Sequence, residues 1–250
     1  TKSSAISLSL LAALLLCSCC RFVEERPSLV FNAYSLTIFV SAKHFDYSSC
    51  QACLTSLAKT RDGRFGHAWI CLRGLRHGQP LEITGSHSGE LGRRQPSYCN
   101  GVADLVDCGD PNPIRYLWEV QRDGFFQQGS GGHRPTYGAQ VTITPEQFEA
   151  IASFMENYPY NEYCLTGRQC TTFCMEIAAL AGWKLEGNVT LSICSEINFR
   201  GIHMCLWHDP RYSSITFATP DLLEQSLKES VKAGRAGKCL LTGDYVCIDL

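Results

Sequence analysis

Residues 170–183 read "CTTFCMEIAALAGW", and the way this stretch folds decides what the chain can do. Phe173, Ile177, Leu180 and Ala181 recur at helical spacing and form one apolar stripe. Gly182 is placed to end the helix in a left-handed turn. The spacing therefore predicts a helix that Cys170 opens, with Cys174 on the same face one turn deeper. A first-turn thiol meets the positive end of the helix dipole and backbone N–H groups without partners inside the helix. Both favour thiolate, which lowers the thiol pKa, and the same N–H groups can hold an oxyanion on a nearby acyl carbon. Cys170 is thus the candidate nucleophile, and Cys174, in line with Phe173 and Ile177, reads as a packed residue. Cysteines at helix starts are commonly structural, so the assignment turns on whether the chain supplies a base.

A thiol nucleophile is typically paired with an imidazole that a third polar group orients. Of the seven histidines, His67 is best placed: it opens "GHAWICL" (66–72), an alternating stretch rich in β-formers. A residue there can present its ring at the end of a sheet while the rest of the strand is locked in the core. "RGLRHGQ" (73–79) is turn-like and "PLEITG" (80–85) returns as a strand, so the segment reads as a hairpin with a longish loop.

Outward from this pair, "SLVFNAYSLTIFVSA" (28–42) is apolar and reads as one or two buried strands. "YSSCQACLTSLAKT" (47–60) reads as a short helix capped by Ser48 or Ser49. Residues 86–113 are irregular, "IRYLWEV" (114–120) is a strand, "DGFFQQGSGGHRPTYG" (123–138) a glycine-rich loop, and "AQVTIT" (139–144) a strand. Thr144, Pro145 and Gln147 then form a capping box ahead of a helix carrying Phe148, Ile151, Phe154 and Met155. A last helix starts at Thr219-Pro220 and runs to Gly234; a closing strand or two completes residues 184–250. Strands and helices segregate without regular alternation, so the fold class is α+β.

The 250 residues are 45% hydrophobic and 18% charged, with 21 Gly and 10 Pro, a profile that excludes collagenous, coiled-coil and disordered chains. Net charge is −2, and the basic run "GRR" (92–94) is too small to make a case for nucleic acid. The first twenty residues, "TKSSAISLSLLAALLLCSCC", place Lys2 before an apolar run too short for a membrane span and suited to a signal-peptide core. Leu16-Cys17-Ser18 before Cys19 resembles a bacterial lipobox. That gives residues 1–18 as signal peptide, Cys19 as lipidated first residue, and 19–250 as a single domain anchored in the cell envelope. An ordinary signal peptide cut nearby is the other reading. Fifteen cysteines in an oxidising compartment could pair in many ways. "CQAC" (50–53) has redox or half-zinc spacing. Past the export segment no second such motif or histidine pair completes a metal site, so no metal or cofactor is expected and a structural pair is the simpler reading. "NVT" (188–190) is a sequon with meaning only in a eukaryotic secretory route.

With its histidine strand preceding its cysteine helix, the chain resembles the circularly permuted papain-like branch of the NlpC/P60 superfamily. That branch includes lecithin–retinol acyltransferase-like and YiiX-like proteins. The family's N-C-x-x-F pattern is met here by "QCTTF", with Gln169 in place of Asn. The resemblance covers residues 64–90 and 164–183. It implies a papain-like antiparallel sheet packed on helices and acyl transfer through a thioester on Cys170. It also implies peptide, amide or lipid-ester substrates; in an envelope these would be peptidoglycan peptides. The alternatives are a lipid-directed acyltransferase or thioesterase, or a non-catalytic cysteine-rich protein on the same fold. The family's third polar residue lies on the strand after the histidine. If the hairpin turn centres near 76–77, His67 falls opposite Gly85–Ser86, which favours His87. Glu82 falls several residues along at ~3.3 Å each, yet stays an alternative because a slipped register changes the face; Glu90 is a more distant candidate. Finally, "GSGGHRPTY" (129–137) is a possible substrate loop, where Gly131 lets backbone approach a ligand and His133 and Arg134 can hold a carboxylate.

Overall fold

The hairpin that carries His67 forms the centre of a six-stranded antiparallel sheet. In the computed structural model, residues 34–60, 66–89, 118, 120, 122–199, 202–205 and 212–239 are described, all within one compact unit spanning Ala33–Leu250. Strands β1 (Ser35–Ser41), β2 (His67–Arg76), β3 (Gln79–Ser88), β4 (Phe125–Gln128), β5 (Tyr137–Thr142) and β10 (Gly237–Lys238) assemble in the order β10-β5-β1-β2-β3-β4. Four described helices accompany them: α1 (Cys50–Lys59), α2 (Pro145–Asn157), α3 (Cys170–Leu180) and α4 (Pro220–Lys232). The α+β class expected from the segregated pattern is what the chain adopts.

Alternation along the central strands sorts side chains onto two faces. Leu36, Ile38 and Val40 of β1 and Ala68, Ile70 and Leu72 of β2 face the helices. There they pack with Phe148 and Ile151 of α2, Phe173 and Ile177 of α3, and Leu223 and Leu227 of α4. Burying each such side chain is worth roughly 1.5–3 kcal/mol, so this face holds the sheet and three helices together. The opposite face carries a smaller cluster of Phe39, Trp69, Cys71 and Cys239. Every residue of β1 is buried, Ser35, Thr37 and Ser41 included.

Two expectations about the strands are corrected. The loop at 73–79 is a two-residue turn, with His77 (φ 53°) and Gly78 (φ 75°) in the left-handed region. Both residues at positive φ match the turn geometry that the right-handed twist of paired strands prefers. Within the glycine-rich stretch 123–138, Phe125–Gln128 pairs with β3 as β4. The strand expected at 114–120 lies mostly outside the described residues, as do Cys19, Glu90 and the signal-peptide segment. The C-terminal third carries more strand than expected: β6 (Asn188–Ser192) pairs with β9 (Ser214–Ala218), and β7 (Glu196–Phe199) with β8 (Ile202–Cys205). Among the described residues no helix is long and apolar enough to cross a membrane.

Candidate active site

Helix α3 begins at Cys170 because Gln169 caps it. Gln169 is extended (φ −154°), its Oε1 accepts from the Thr171 N–H at 2.8 Å, and Thr172 Oγ1 accepts from the Gln169 N–H at 2.8 Å. Nε2 of Gln169 donates to the Ala218 carbonyl at 2.5 Å, which ties the cap to β9. Gln here does what Ser or Asp usually does at an N-cap, and its longer side chain also reaches a neighbouring strand.

The Cys170 thiol donates to Gln169 Oε1 at 3.4 Å and lies 3.8 Å from Thr171 Oγ1. Backbone N–H groups of Ala68, Thr171 and Cys170 all act on the sulfur and favour its thiolate. Even so, burial outweighs them and pushes the thiol pKa up, since a charge on a sulfur this enclosed loses its hydration. The low thiol pKa expected from the helix dipole is therefore not found in this resting geometry. Cys174 is fully buried, and burial with the neighbouring Cys170 holds its thiol well above the ordinary range.

The Ala68 N–H is the peptide that joins Ala68 to His67, so the sulfur sits one peptide unit from His67. The β2–β3 ladder pairs from Ile70↔Gly85 outward to the turn, and beyond it Ala68 turns its polar groups to side chains: its carbonyl accepts from Ser86 Oγ at 2.6 Å. Gly66 leads into His67 at φ +93°, and a Cβ there would meet the Ser41 carbonyl oxygen at 2.3 Å, so only glycine fits. The His67 ring stacks on His133 at 4.8 Å and on Trp69 at 5.9 Å. Its Nε2 is buried without a hydrogen-bond partner. Burial, with a smaller push from His133, lowers its pKa to about 3, so the ring is neutral at ordinary pH.

The third member expected from the hairpin does not join this pair. With the turn at His77–Gly78, the register pairs Ile70 with Gly85, and continuing it sets His67 opposite Ser88 rather than Gly85–Ser86. His87 thereby falls on the helix face while His67 stacks on Trp69 of the other face. His87 is fully buried: Nε2–H donates to the Tyr160 carbonyl at 2.9 Å, and Nδ1 accepts from the Tyr158 hydroxyl at 3.3 Å. Tyr158, Tyr160 and Tyr163 surround its ring edge-on. Burial lowers its pKa to about 4 against the opposing bond to Tyr160, with Arg168 adding to the drop. Both nitrogens are occupied, so His87 has nothing left with which to orient His67. Gly124 closes this cage, since a Cβ there would come within 2.2 Å of the Tyr160 carbonyl and 2.8 Å of His87 Nε2. Glu82 is placed farther along the sheet, where it pairs with Arg73 at 2.8 Å.

The glycine-rich loop does reach the site. Gly129, Gly131 and Gly132 all take positive φ (70°, 61° and 78°), and the His133 N–H closes a turn on the Ser130 carbonyl at 3.1 Å. This sets the His133 ring on His67 and leaves Arg134 exposed beside it. Sequence reasoning singled out this loop but could not connect it to His67, because nothing local says which strand end a loop will fold over.

The Cys170 sulfur is bonded by the Ala68 N–H, while the His67 ring lies against His133 and against Trp69 of the other face of the sheet. Cys170, Cys174 and the thiols Cys50, Cys53 and Cys194 are all in the free form. Among the described residues no group of three or more His, Cys, Asp or Glu side chains is arranged to hold a metal ion. Compared with known proteins, the chain matches no family model, no curated protein and no solved structure.

Proposed function

We propose that the chain is a cysteine hydrolase or acyltransferase in which Cys170 is the nucleophile and His67 the general base. The observation that carries this reading is the hydrogen-bonding contact of the Cys170 sulfur with the Ala68 N–H, next to a buried His67 whose Nε2 has no partner. The Cys170 Sγ–H proton passes to the imidazole as sulfur adds to an acyl carbon. The Cys170 N–H at the head of α3 is the donor that serves the developing oxyanion, since the Thr171 N–H is taken by Gln169 Oε1. Collapse expels the leaving group, which takes the proton from His67, and a thioester remains on Cys170. Water or another acceptor, deprotonated by His67, then releases the acyl group. His133 packs the imidazole from one side and takes the place that the hairpin reading gave to His87.

The papain-like character of the fold, an exported location and substrates with peptide amides or lipid esters belong to the same proposal. They rest on the resemblance of "GHAWICL" and "QCTTF" to the permuted papain-like branch. A small activated ester tests the chemistry without knowledge of the natural substrate. The purified chain is expected to give a burst of leaving group and an acyl adduct that mass mapping assigns to Cys170. Cys170→Ala is expected to give neither. An adduct on another thiol, or the same burst from Cys170→Ala, contradicts the proposal.

A further inference from the structure

The motif "CQAC" at 50–53 takes no part in the site around Cys170, yet the fold builds a second thiol cluster around it. Cys50 is the first residue of α1 and half-buried; Cys53 lies three residues on, in the same turn, and is 3% exposed. Cys53 packs in a cluster with Leu191 of β6 and Ile215 and Phe217 of β9, and the partly buried Ile193 packs against that cluster. The Ile193 N–H is held by the Ser213 carbonyl at 2.8 Å. The chain just past β6 therefore runs along the first turn of α1, and the next residue is Cys194, exposed to solvent. Burial, and after it the nearby Cys194, push the Cys50 thiol up. The arrangement is graded: an exposed thiol, a half-buried one beside it and a buried one beneath.

We propose that Cys50 and Cys194 form a reversible thiol–disulfide exchange site that fastens α1 to the end of β6, with a low-molecular-weight disulfide, RSSR, as oxidant. The exposed Cys194 thiolate attacks one sulfur of RSSR; the S–S bond breaks, a Cys194–S–S–R bond forms, and RS⁻ leaves. Capping removes the Cys194 charge and with it that part of the opposition to the Cys50 thiolate. Cys50 then attacks the Cys194 sulfur, the mixed disulfide breaks, and the second RS⁻ leaves. Two protein thiols lose two electrons and two protons, and RSSR becomes two RSH. Excess RSH runs the sequence backwards. Cys53, packed in the core cluster, stays a thiol. The site is independent of any chemistry at Cys170.

The test equilibrates the full chain with glutathione at graded ratios of oxidised to reduced form, followed by acid quenching, alkylation and peptide mapping. The expected result is a Cys50–Cys194 linked peptide that rises with the oxidised fraction and is lost again in reduced glutathione. Cys53→Ser is expected to retain it. Cys194→Ser, at an exposed position that leaves the fold intact by circular dichroism, is expected to leave Cys50 at least tenfold less oxidised at the same ratio. A Cys50–Cys53 linkage as the main product overturns the proposal, as does a Cys194 that stops at the mixed disulfide. Three thiols that remain fully alkylatable at every ratio overturn it equally.

Discussion

At the residue scale the chain sets two imidazoles and a thiol in enclosed places and gives them different work. His87 has both nitrogens satisfied and is a structural group, whereas His67 Nε2 is buried and unpartnered. An orphaned buried nitrogen costs about 1–3 kcal/mol, so His67 Nε2 is an expense that His87 does not carry. Both imidazoles stay neutral in the fold, with pKa values lowered to about 3 and about 4, while an unfolded histidine titrates near ~6.5. Between those limits the unfolded chain binds more protons than the folded one, so stability is complete above pH ~6.5 and falls as pH drops toward 4. Thermal melts from pH 7 to 4.5 are expected to show a loss of up to about 3 kcal/mol from each histidine, at 1.36 kcal/mol per pKa unit. His87→Gln is expected to lower the melting temperature at pH 7, where its hydrogen bonds are lost, and to flatten the slope below pH 6.5. A variant as steep as the parent contradicts the assignment of a neutral His87. None of this was legible in the sequence: the register sets Ser88, and not Gly85–Ser86, opposite His67, and the tyrosine cage lies more than seventy positions downstream.

At the element scale, short-range signals were read well. The capping box Thr144-Pro145-Glu146-Gln147 starts α2 as expected, Ser49 caps α1, and Gly182 follows α3 at φ 72°. These depend on side chains bonding to backbone within three or four residues, which spacing alone reveals. Strand β4 was missed because Phe125-Phe126-Gln127-Gln128 has no alternation and is surrounded by glycine; its pairing with β3 comes from a partner forty residues away. Gly66 is the element-scale feature that matters most for the site, since it sets the entry of β2 and so the position of His67. Gly66→Ala places a methyl 2.3 Å from the Ser41 carbonyl oxygen at φ +93°, and such strain costs of order 1–3 kcal/mol. Denaturant unfolding is expected to show that loss, together with slower acylation of Cys170. An unchanged midpoint would show that the β2 entry tolerates other conformations.

Across the whole molecule, α4 fastens the segments that flank the site. Asp221 is 3% exposed and accepts from the Lys43 N–H at 2.6 Å, the Phe45 N–H at 2.8 Å and the Tyr47 hydroxyl at 2.9 Å. Glu224, equally buried, is bonded by His44 at 3.0 Å and by Thr136 and Lys228. Thr136 follows the loop that carries His133, so one helix holds both the segment after β1 and the base of that loop. In the sequence, Asp221 and Glu224 look like the solvated face of an exposed helix; their partners stand up to about 180 positions away, beyond any local pattern. Asp221→Asn keeps the size but loses the charge that three donors share, and its melting temperature is expected to drop by the equivalent of about 2–4 kcal/mol. An unchanged melt would show that the network contributes nothing. The α+β class was drawn from local pattern, whereas the ring that stacks on His67 depends on loop folding that no local pattern encodes. The account therefore rests on the sulfur and the imidazole acting together, and the most direct test is the alkylation rate of each thiol against pH in the parent and in His67→Ala. The account predicts that Cys170 reacts faster than Cys174 near neutral pH and that His67→Ala slows it by roughly 10²-fold or more, with Cys174 unaffected. Equal rates at the two thiols, or a Cys170 rate indifferent to His67, would contradict it.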